Sequence, residues 1–171
     1  VSDLRSLERV SIRSFVESCG NLFRDARVLD YGCGREPYAD LIASFGARYD
    51  SYDDPRLPGF AGAPGEWPSW DPDPLYDVVV CTQVVQYVPD IEEFLQFTSW
   101  LTSQSANGHL VLTYPTNWPE VEEADLHRFT KAGMERLLTE AGFEVVRHER
   151  RAEFVWQGET FALGYGAVCR A

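Results

Sequence analysis

The chain has 171 residues, 44% of them hydrophobic, and a formal net charge of −12. That length supports one domain spanning residues 1–171 with a core that needs no disulfides, and the acidic balance, with no basic block to offset it, argues against nucleic acid or an anionic membrane surface as a partner. Four scattered cysteines (Cys19, Cys33, Cys81, Cys169) show neither CxxC nor Cys/His spacing, so no metal site is expected, and free thiols in a reducing, cytoplasmic compartment are. No apolar run is long enough to span a bilayer, and the start shows no signal-peptide pattern. Leu4, Leu7, Val10, Ile12, Phe15 and Val16 recur at helical spacing and predict an amphipathic helix over residues 3–19.

The stretch from Val28 to Tyr38 organises the rest of the chain. Residues 27–31 read as a buried strand ending at Asp30 and Tyr31. Gly32 and Gly34 let the chain turn sharply and approach a ligand without a Cβ in the way. Pro37 suits the first turn of a helix over residues 37–45, and Gly46 closes that helix. A strand, glycine loop and helix in this order set free backbone N–H groups at the mouth of a parallel sheet. A second strand is expected over residues 47–52. Asp53 lies just beyond it, about twenty residues after the loop, where a carboxylate grips a ribose diol by two hydrogen bonds. Asp50 is the runner-up for this role, Asp54 stays open, and a turn-capping aspartate is the competing reading. A dinucleotide fingerprint would place its third glycine at position 37, which is proline, and Glu36 sits where a pyrophosphate would lie; both features argue against NAD.

Residues 54–75, rich in Pro, Gly, Asp and Trp, predict a long loop with room for one short strand. The β-branched run over 76–81 predicts a strand buried on both faces. Asp90, with Glu93 at the capping-box position, opens a helix whose buried stripe is Ile91, Phe94, Leu95 and Leu101. Asn107-Gly108 turns into a strand over 109–114. Thr130 caps a helix bearing Met134, Leu137, Leu138 and Ala141, closed by Gly142. Residues 143–156 and 160–169 are strand-like and joined through Gln157-Gly158-Glu159 as a hairpin. Alternating strands and helices demand a parallel sheet with right-handed crossovers.

The run Gly32-Cys33-Gly34-Arg35-Glu36-Pro37-Tyr38 resembles the GCGxxPY variant of motif I in class I S-adenosylmethionine-dependent methyltransferases, common in bacterial members; the family's usual third glycine would fall at Glu36. The stretch from Cys81-Thr82-Gln83 through Val84 to Asp90 resembles the family's CxxVLEHVxD segment, with Gln86-Tyr87 replacing the frequent Glu-His pair. Asp125-Leu126-His127-Arg128-Phe129-Thr130, with Ala141-Gly142-Phe143, resembles its DxxRFT…AGF ending. The resemblance covers nearly the whole chain. It implies an α/β, Rossmann-like, doubly wound sheet of seven mostly parallel strands with an antiparallel last strand and helices on both faces. The first twenty residues would form a helix that packs on or caps the cofactor site.

It further implies S-adenosylmethionine as cofactor, with S-adenosylhomocysteine as product, held by Asp30, Gly32, Cys33, Gly34 and Asp53, by Glu66 and Trp67 in the long loop, and by Cys81, Thr82 and Gln83. The adenine N6 acceptor would fall at Ala63, whose side chain cannot serve. Arg9 or Arg13 could reach the cofactor carboxylate, although a solvated helix face is the plainer reading. His127 and Tyr114 are the candidate catalytic residues, with Tyr87 and Gln83 nearby and Trp118 and Phe129 as pocket walls; His127 has the best-suited pKa for a general base. The expected reaction is methylation of a small-molecule acceptor, on oxygen in preference to nitrogen, by a monomer or homodimer. A non-catalytic module that keeps the fold to bind the cofactor or a partner is the alternative.

Overall fold

A computed structural model describes residues 2–54, 76–103, 105–119 and 125–171. Helices α1 (Ser2–Ser18) and α2 (Gly20–Phe23) precede β1 (Arg27–Tyr31), α3 (Ala39–Ala43) and β2 (Arg48–Tyr52). Then come β3 (Val78–Thr82), a 3-10 turn at Val85–Tyr87, α4 (Ile91–Thr102), β4 (His109–Pro115), α5 (Lys131–Glu140), β5 (Glu144–Trp156) and β6 (Glu159–Arg170). The sheet runs β2-β1-β3-β4-β6-β5. Its first four strands are parallel, and β6 lies antiparallel between β4 and β5. Six strands are present among the described residues. The stretch that had room for a further one, 54–75, lies almost wholly outside them.

Strand propensity and burial agree where the pattern was strongest. Val78, Val79, Val80 and Cys81 are all buried, as a β-branched run at the centre of a doubly covered sheet requires. Alternate residues feed two cores. On one face, Val28, Val78, Val80, Val111 and Val168 pack under α1 and α3, through Ile12, Phe15, Val16, Leu41 and Ile42. On the other, Leu29, Val79, Leu110 and Leu112 pack under α4 and α5, through Phe94, Leu95, Met134 and Leu138.

The caps explain the helix starts. Asp90 accepts the Glu93 N–H at 2.9 Å and Thr130 accepts the Gly133 N–H at 3.1 Å. The first helix ends at Ser18, within a residue of expectation, and a separate turn, α2, follows the break at Cys19; Gly20 packs there against the Phe45 ring, which a Cβ would meet at 2.3 Å. One helix departs from expectation. The helix expected over 37–45 is reduced to α3, with turns on both sides. Gly46, at φ +87°, closes it as expected. The β5–β6 hairpin turns on Gln157 and Gly158, both with positive φ, which is the type I′ geometry that matches strand twist.

Helix α1 is docked on β5 and β6. Its Phe15 ring lies over Gly166, where a Cβ would sit 2.6 Å from the ring. Gly166→Ala is therefore expected to cost about 1–3 kcal/mol through overpacking, and less in a Phe15→Ala background, where the ring is gone. Urea denaturation of the four variants measures this; equal penalties in both backgrounds would contradict the contact.

Candidate active site

The chain leaves β1, goes outward to β2, and returns across β1 to β3, so the strand order reverses between β1 and β3. In such sheets the crevice at the carboxyl ends of these two strands is where ligands bind. The glycine loop closes that crevice on one side. The N–H groups of both Gly32 and Cys33 donate to the Tyr52 carbonyl, at 2.7 and 3.2 Å. This locks the turn after β1 against the last residue of β2, directly before Asp53. The two predicted halves of the site therefore stand side by side at one end of the sheet.

Three residues of the loop, Gly32, Gly34 and Glu36, adopt a left-handed backbone. Gly32 has φ +74°, and a Cβ there would sit 2.2 Å from a Val84 methyl, so the loops after β1 and β3 pack through a bare backbone. Gly34, at φ +53°, faces open space with no atom within 4 Å of a built Cβ. A side chain there would fill that open space. Glu36 also adopts a left-handed conformation, φ +54°, which accounts for the glycine usual at this position in the family it resembles. Its carboxylate accepts the Ser51 hydroxyl, and its N–H donates to the Cys33 carbonyl at 2.8 Å.

Asp30 is the most unusual charge in the crevice. It is fully buried; Oδ2 accepts the Tyr49 hydroxyl at 2.8 Å, and Oδ1 has no partner. Burial pushes its pKa up to about 7, against the Tyr49 hydrogen bond, and the nearby carboxylates of Glu36 and Asp53 push the same way. An orphaned buried carboxylate oxygen calls for a cation or a donor. Asp53 and Asp54 are both buried, and Asp54 accepts the Tyr31 hydroxyl at 3.3 Å. Asp50, the runner-up for the ribose role, is paired with Leu29 in mid-strand and bonded to Arg27 Nε at 2.9 Å, away from the strand tip.

The opposite wall comes from β3 and the loops above it. Thr82 is the half-buried last residue of β3. Gln83 has φ +58°; its N–H donates to the Thr113 carbonyl at 3.0 Å, and its own carbonyl accepts Gln86 Nε2 at 2.8 Å. Cys81 lies near the carboxyl end of β3, next to Thr82 and beside β1. Its thiol is wholly buried in the α4/α5 core, so only its backbone is available to a ligand. Cys33 is also buried, and its thiol is pushed up to about 12, first by burial and then by Asp30, Asp53 and Glu36; it is not a nucleophile. Glu66, Trp67 and Ala63 lie outside the described residues.

The structure corrects the expectation that Tyr114 faces the cleft. Tyr114 is fully buried among Phe129, His148 and Tyr165, and its hydroxyl lies 2.7 Å from His148 Nε2. His148 pairs with Ala167, two rungs below the Tyr114–Tyr165 rung, so the phenol points back down the sheet. His148 in turn contacts Glu135 at 3.0 Å, and burial lowers its pKa. His127 is near the mouth, but its Nε2 lies 2.9 Å from the Val88 carbonyl. A carbonyl only accepts, so that nitrogen carries the proton, and only Nδ1 is left to act as a base. The backbone N–H groups of Leu126 and His127 donate to the Gln86 carbonyl at 2.8 and 3.2 Å, so this segment is pinned to the loop after β3. Of the Gln86-Tyr87 pair that replaces the family's frequent Glu-His, Gln86 uses its side chain as well, through Nε2 to the Gln83 carbonyl.

Sequence reasoning missed three residues around the crevice: Tyr49, which holds Asp30; Arg151 of β5, a buried guanidinium bonded to Ser11 Oγ at 3.1 Å and the Tyr165 carbonyl at 3.0 Å; and Glu8 of α1, whose Oε1 is buried without a partner. Each rests on a pairing between distant elements, for which period and motif carry no signal. Among the described residues, no group of His, Cys, Asp or Glu is arranged to hold a metal ion, and no helix is long and apolar enough to cross a membrane.

A family model described as a methyltransferase domain matches residues 5–148. No curated protein matches the chain. Among solved structures, a 1,6-didemethyltoxoflavin-N1-methyltransferase from Burkholderia thailandensis, with bound 1,6-didemethyltoxoflavin and S-adenosylhomocysteine, superposes with a TM-score of 0.70 at 18% identity, covering 99% of this chain and 81% of that one. The magnesium protoporphyrin IX methyltransferase of Synechocystis PCC 6803, with bound S-adenosylmethionine, gives a TM-score of 0.63 at 19% identity over 99% of this chain and 84% of that one. A methyltransferase dependent on S-adenosylmethionine from Aquifex aeolicus gives 0.63 at 14% identity over 98% and 96%. The chain belongs to the methyltransferase-domain family, and its fold is that of the class I S-adenosylmethionine-dependent enzymes.

Asp30 gives a test of the crevice without any ligand. Its folded pKa is raised from 3.8 to about 7, so the stability it contributes is complete below about pH 4 and is lost as pH rises toward 7. Asp30→Asn keeps an acceptor for Tyr49 and cannot ionise. Its melting temperature relative to the parent is expected to rise by several degrees between pH 5 and pH 8, measured by calorimetry or fluorescence. A difference that stays flat over this range would mean that water reaches the carboxyl.

Proposed function

We propose that this chain transfers the methyl group of S-adenosylmethionine to a small-molecule acceptor, on oxygen in preference to nitrogen. The observation that carries this reading is the pair of hydrogen bonds from Gly32 and Cys33 to the Tyr52 carbonyl, which sets the open face of Gly34 beside Asp53 at the tip of β2. The residues fit the cofactor. Asp30 Oδ1, lacking a partner, suits its cationic end; Asp53 is assigned to the ribose hydroxyls; Thr82, Gln83 and the Cys81 backbone form the far wall. Glu66 and Trp67 are assigned to the adenine side on the family resemblance alone.

The cofactor, when bound, supplies a methyl already activated on a sulfonium sulfur. The protein's task is then to position, to exclude water and to place a proton. The His127 segment, fixed on the Gln86 and Val88 carbonyls, borders the acceptor side, and we assign His127 to holding that border. The small acceptor is supported by the solved relatives, two of which carry names of small-molecule substrates. We further propose that the protein acts in the cytoplasm, free of nucleic acid and membrane.

Isothermal titration with S-adenosylhomocysteine, S-adenosylmethionine and NAD tests the reading. Both adenosyl ligands are expected to bind and NAD is not. Asp53→Ala is expected to weaken S-adenosylhomocysteine by about 2 kcal/mol, roughly thirtyfold, for loss of charge-assisted hydrogen bonds. Binding of NAD without S-adenosylhomocysteine would overturn it.

A further inference from the structure

Helix α1 carries a carboxylate, Glu8, that balances the buried charge of Arg151 yet leaves one oxygen without a hydrogen bond. Its place is set by the contacts beneath the helix. Arg147 Nη2 donates to Ser18 Oγ at 2.8 Å, and Arg151 Nη1 donates to Ser11 Oγ at 3.1 Å, so the helix descends β5 in the reverse direction. Arg151 pairs with Gly164, which pairs with Pro115, the last residue of β4. Ser11 is therefore level with the strand ends, and Glu8, almost one turn earlier, stands above them. Three other elements converge on it. Arg151 of β5 and Arg128 of the His127 segment both lie near enough to draw its pKa down, against a larger upward push from burial. Tyr38, at the end of the glycine loop, feels the charges of Asp30, Arg151 and Glu8 together. Glu8 thus overhangs the crevice between the glycine loop and the acceptor side.

The arginines around it are already engaged. Arg151 donates to Ser11, Tyr165 and Tyr114; Arg128 donates to the Asp125 carboxylate and the His127 carbonyl. Glu8 Oε1, by contrast, is buried with no hydrogen-bond partner. A buried polar atom of this kind is costly to leave unmatched. The atom left over at the mouth is an acceptor, so it calls for a donor.

We propose that Glu8 is the residue that recognises the methyl acceptor: its buried oxygen receives the O–H or N–H of the group to be methylated. The acceptor is then a hydroxyl or an amine, and a carboxylate is refused because it would set like charges against each other with no proton between them. This narrows the acceptor class of the methyl transfer proposed for the chain and rests on that transfer.

Because the natural acceptor is unidentified, the probes are benzylamine, benzyl alcohol and benzoate, which share a ring and differ in the polar group. Each is titrated into protein saturated with S-adenosylhomocysteine. Benzylamine and benzyl alcohol are expected to bind at least tenfold more tightly than benzoate. Glu8→Gln, nearly isosteric, is expected to weaken benzylamine at least tenfold and to leave S-adenosylhomocysteine affinity within threefold; Glu8→Asp, shorter but charged, is expected to recover part of the loss. Benzoate binding as well as the other two would overturn the proposal, as would unchanged benzylamine affinity in Glu8→Gln, or no binding of any probe. Loss of S-adenosylhomocysteine affinity in Glu8→Gln would overturn it too, by moving Glu8 to the cofactor. Failure of the parent to bind S-adenosylhomocysteine at all is a separate result, and it would sink the methyltransferase reading itself.

Discussion

A single carbonyl sets the geometry of the crevice. Tyr52 ends β2, and its oxygen takes two N–H groups from the turn after β1. Parallel strands leave their ends unjoined, so nothing in the ladder itself would hold that turn in register with its neighbour. This bifurcated acceptor does so. It leaves Gly32 with its bare α-carbon against Val84, which couples the turn to the loop after β3 as well. Three strand ends are thereby fixed by one carbonyl and one missing side chain.

Around this frame, charge is buried in an organised way. Asp30, Asp53 and Asp54 are sequestered near β1 and β2, while Arg151 is sequestered under α1. Burial dominates the pKa of Asp30 and Arg151, pushing the carboxyl up to about 7 and the guanidinium down to about 10. Both shifts lean toward neutrality, as desolvation requires. Tyrosines serve as the insulating partners: Tyr49 for Asp30, Tyr31 for Asp54. The net charge of −12 thus includes carboxylates gathered at the crevice, which suits a cationic ligand better than an anionic one.

Much of this was legible in the sequence, because local physics decided it. The Val78–Cys81 run, the Asp90 and Thr130 caps, the Gly46 stop and the Gln157-Gly158 turn each act over a few residues, and each formed where expected. The glycine loop was readable for the same reason, and Asp53 follows the end of β2 as the strand boundary predicted. What failed to be legible was direction. Tyr114 stands at a strand end, where side chains often reach the mouth, but a histidine on β5, 34 residues away, turns its hydroxyl inward. The period of the strand likewise does not tell which core takes the Cys81 thiol, which is buried on the α4/α5 side. Nothing in the sequence marks Glu8; only the docking of α1 on β5 and β6 shows that it is partly covered.

The strand order carries a kinetic consequence. Because β6 lies between β4 and β5, β5 has no neighbour to pair with until the segment after it has been made. Helix α1, synthesised well before, rests on those same two strands through Phe15, Ser11 and Ser18. Vectorial synthesis therefore holds the opening helix and the β1–β4 half of the sheet waiting with apolar faces uncovered. Completing the sheet needs contacts of large sequence separation, which slow folding.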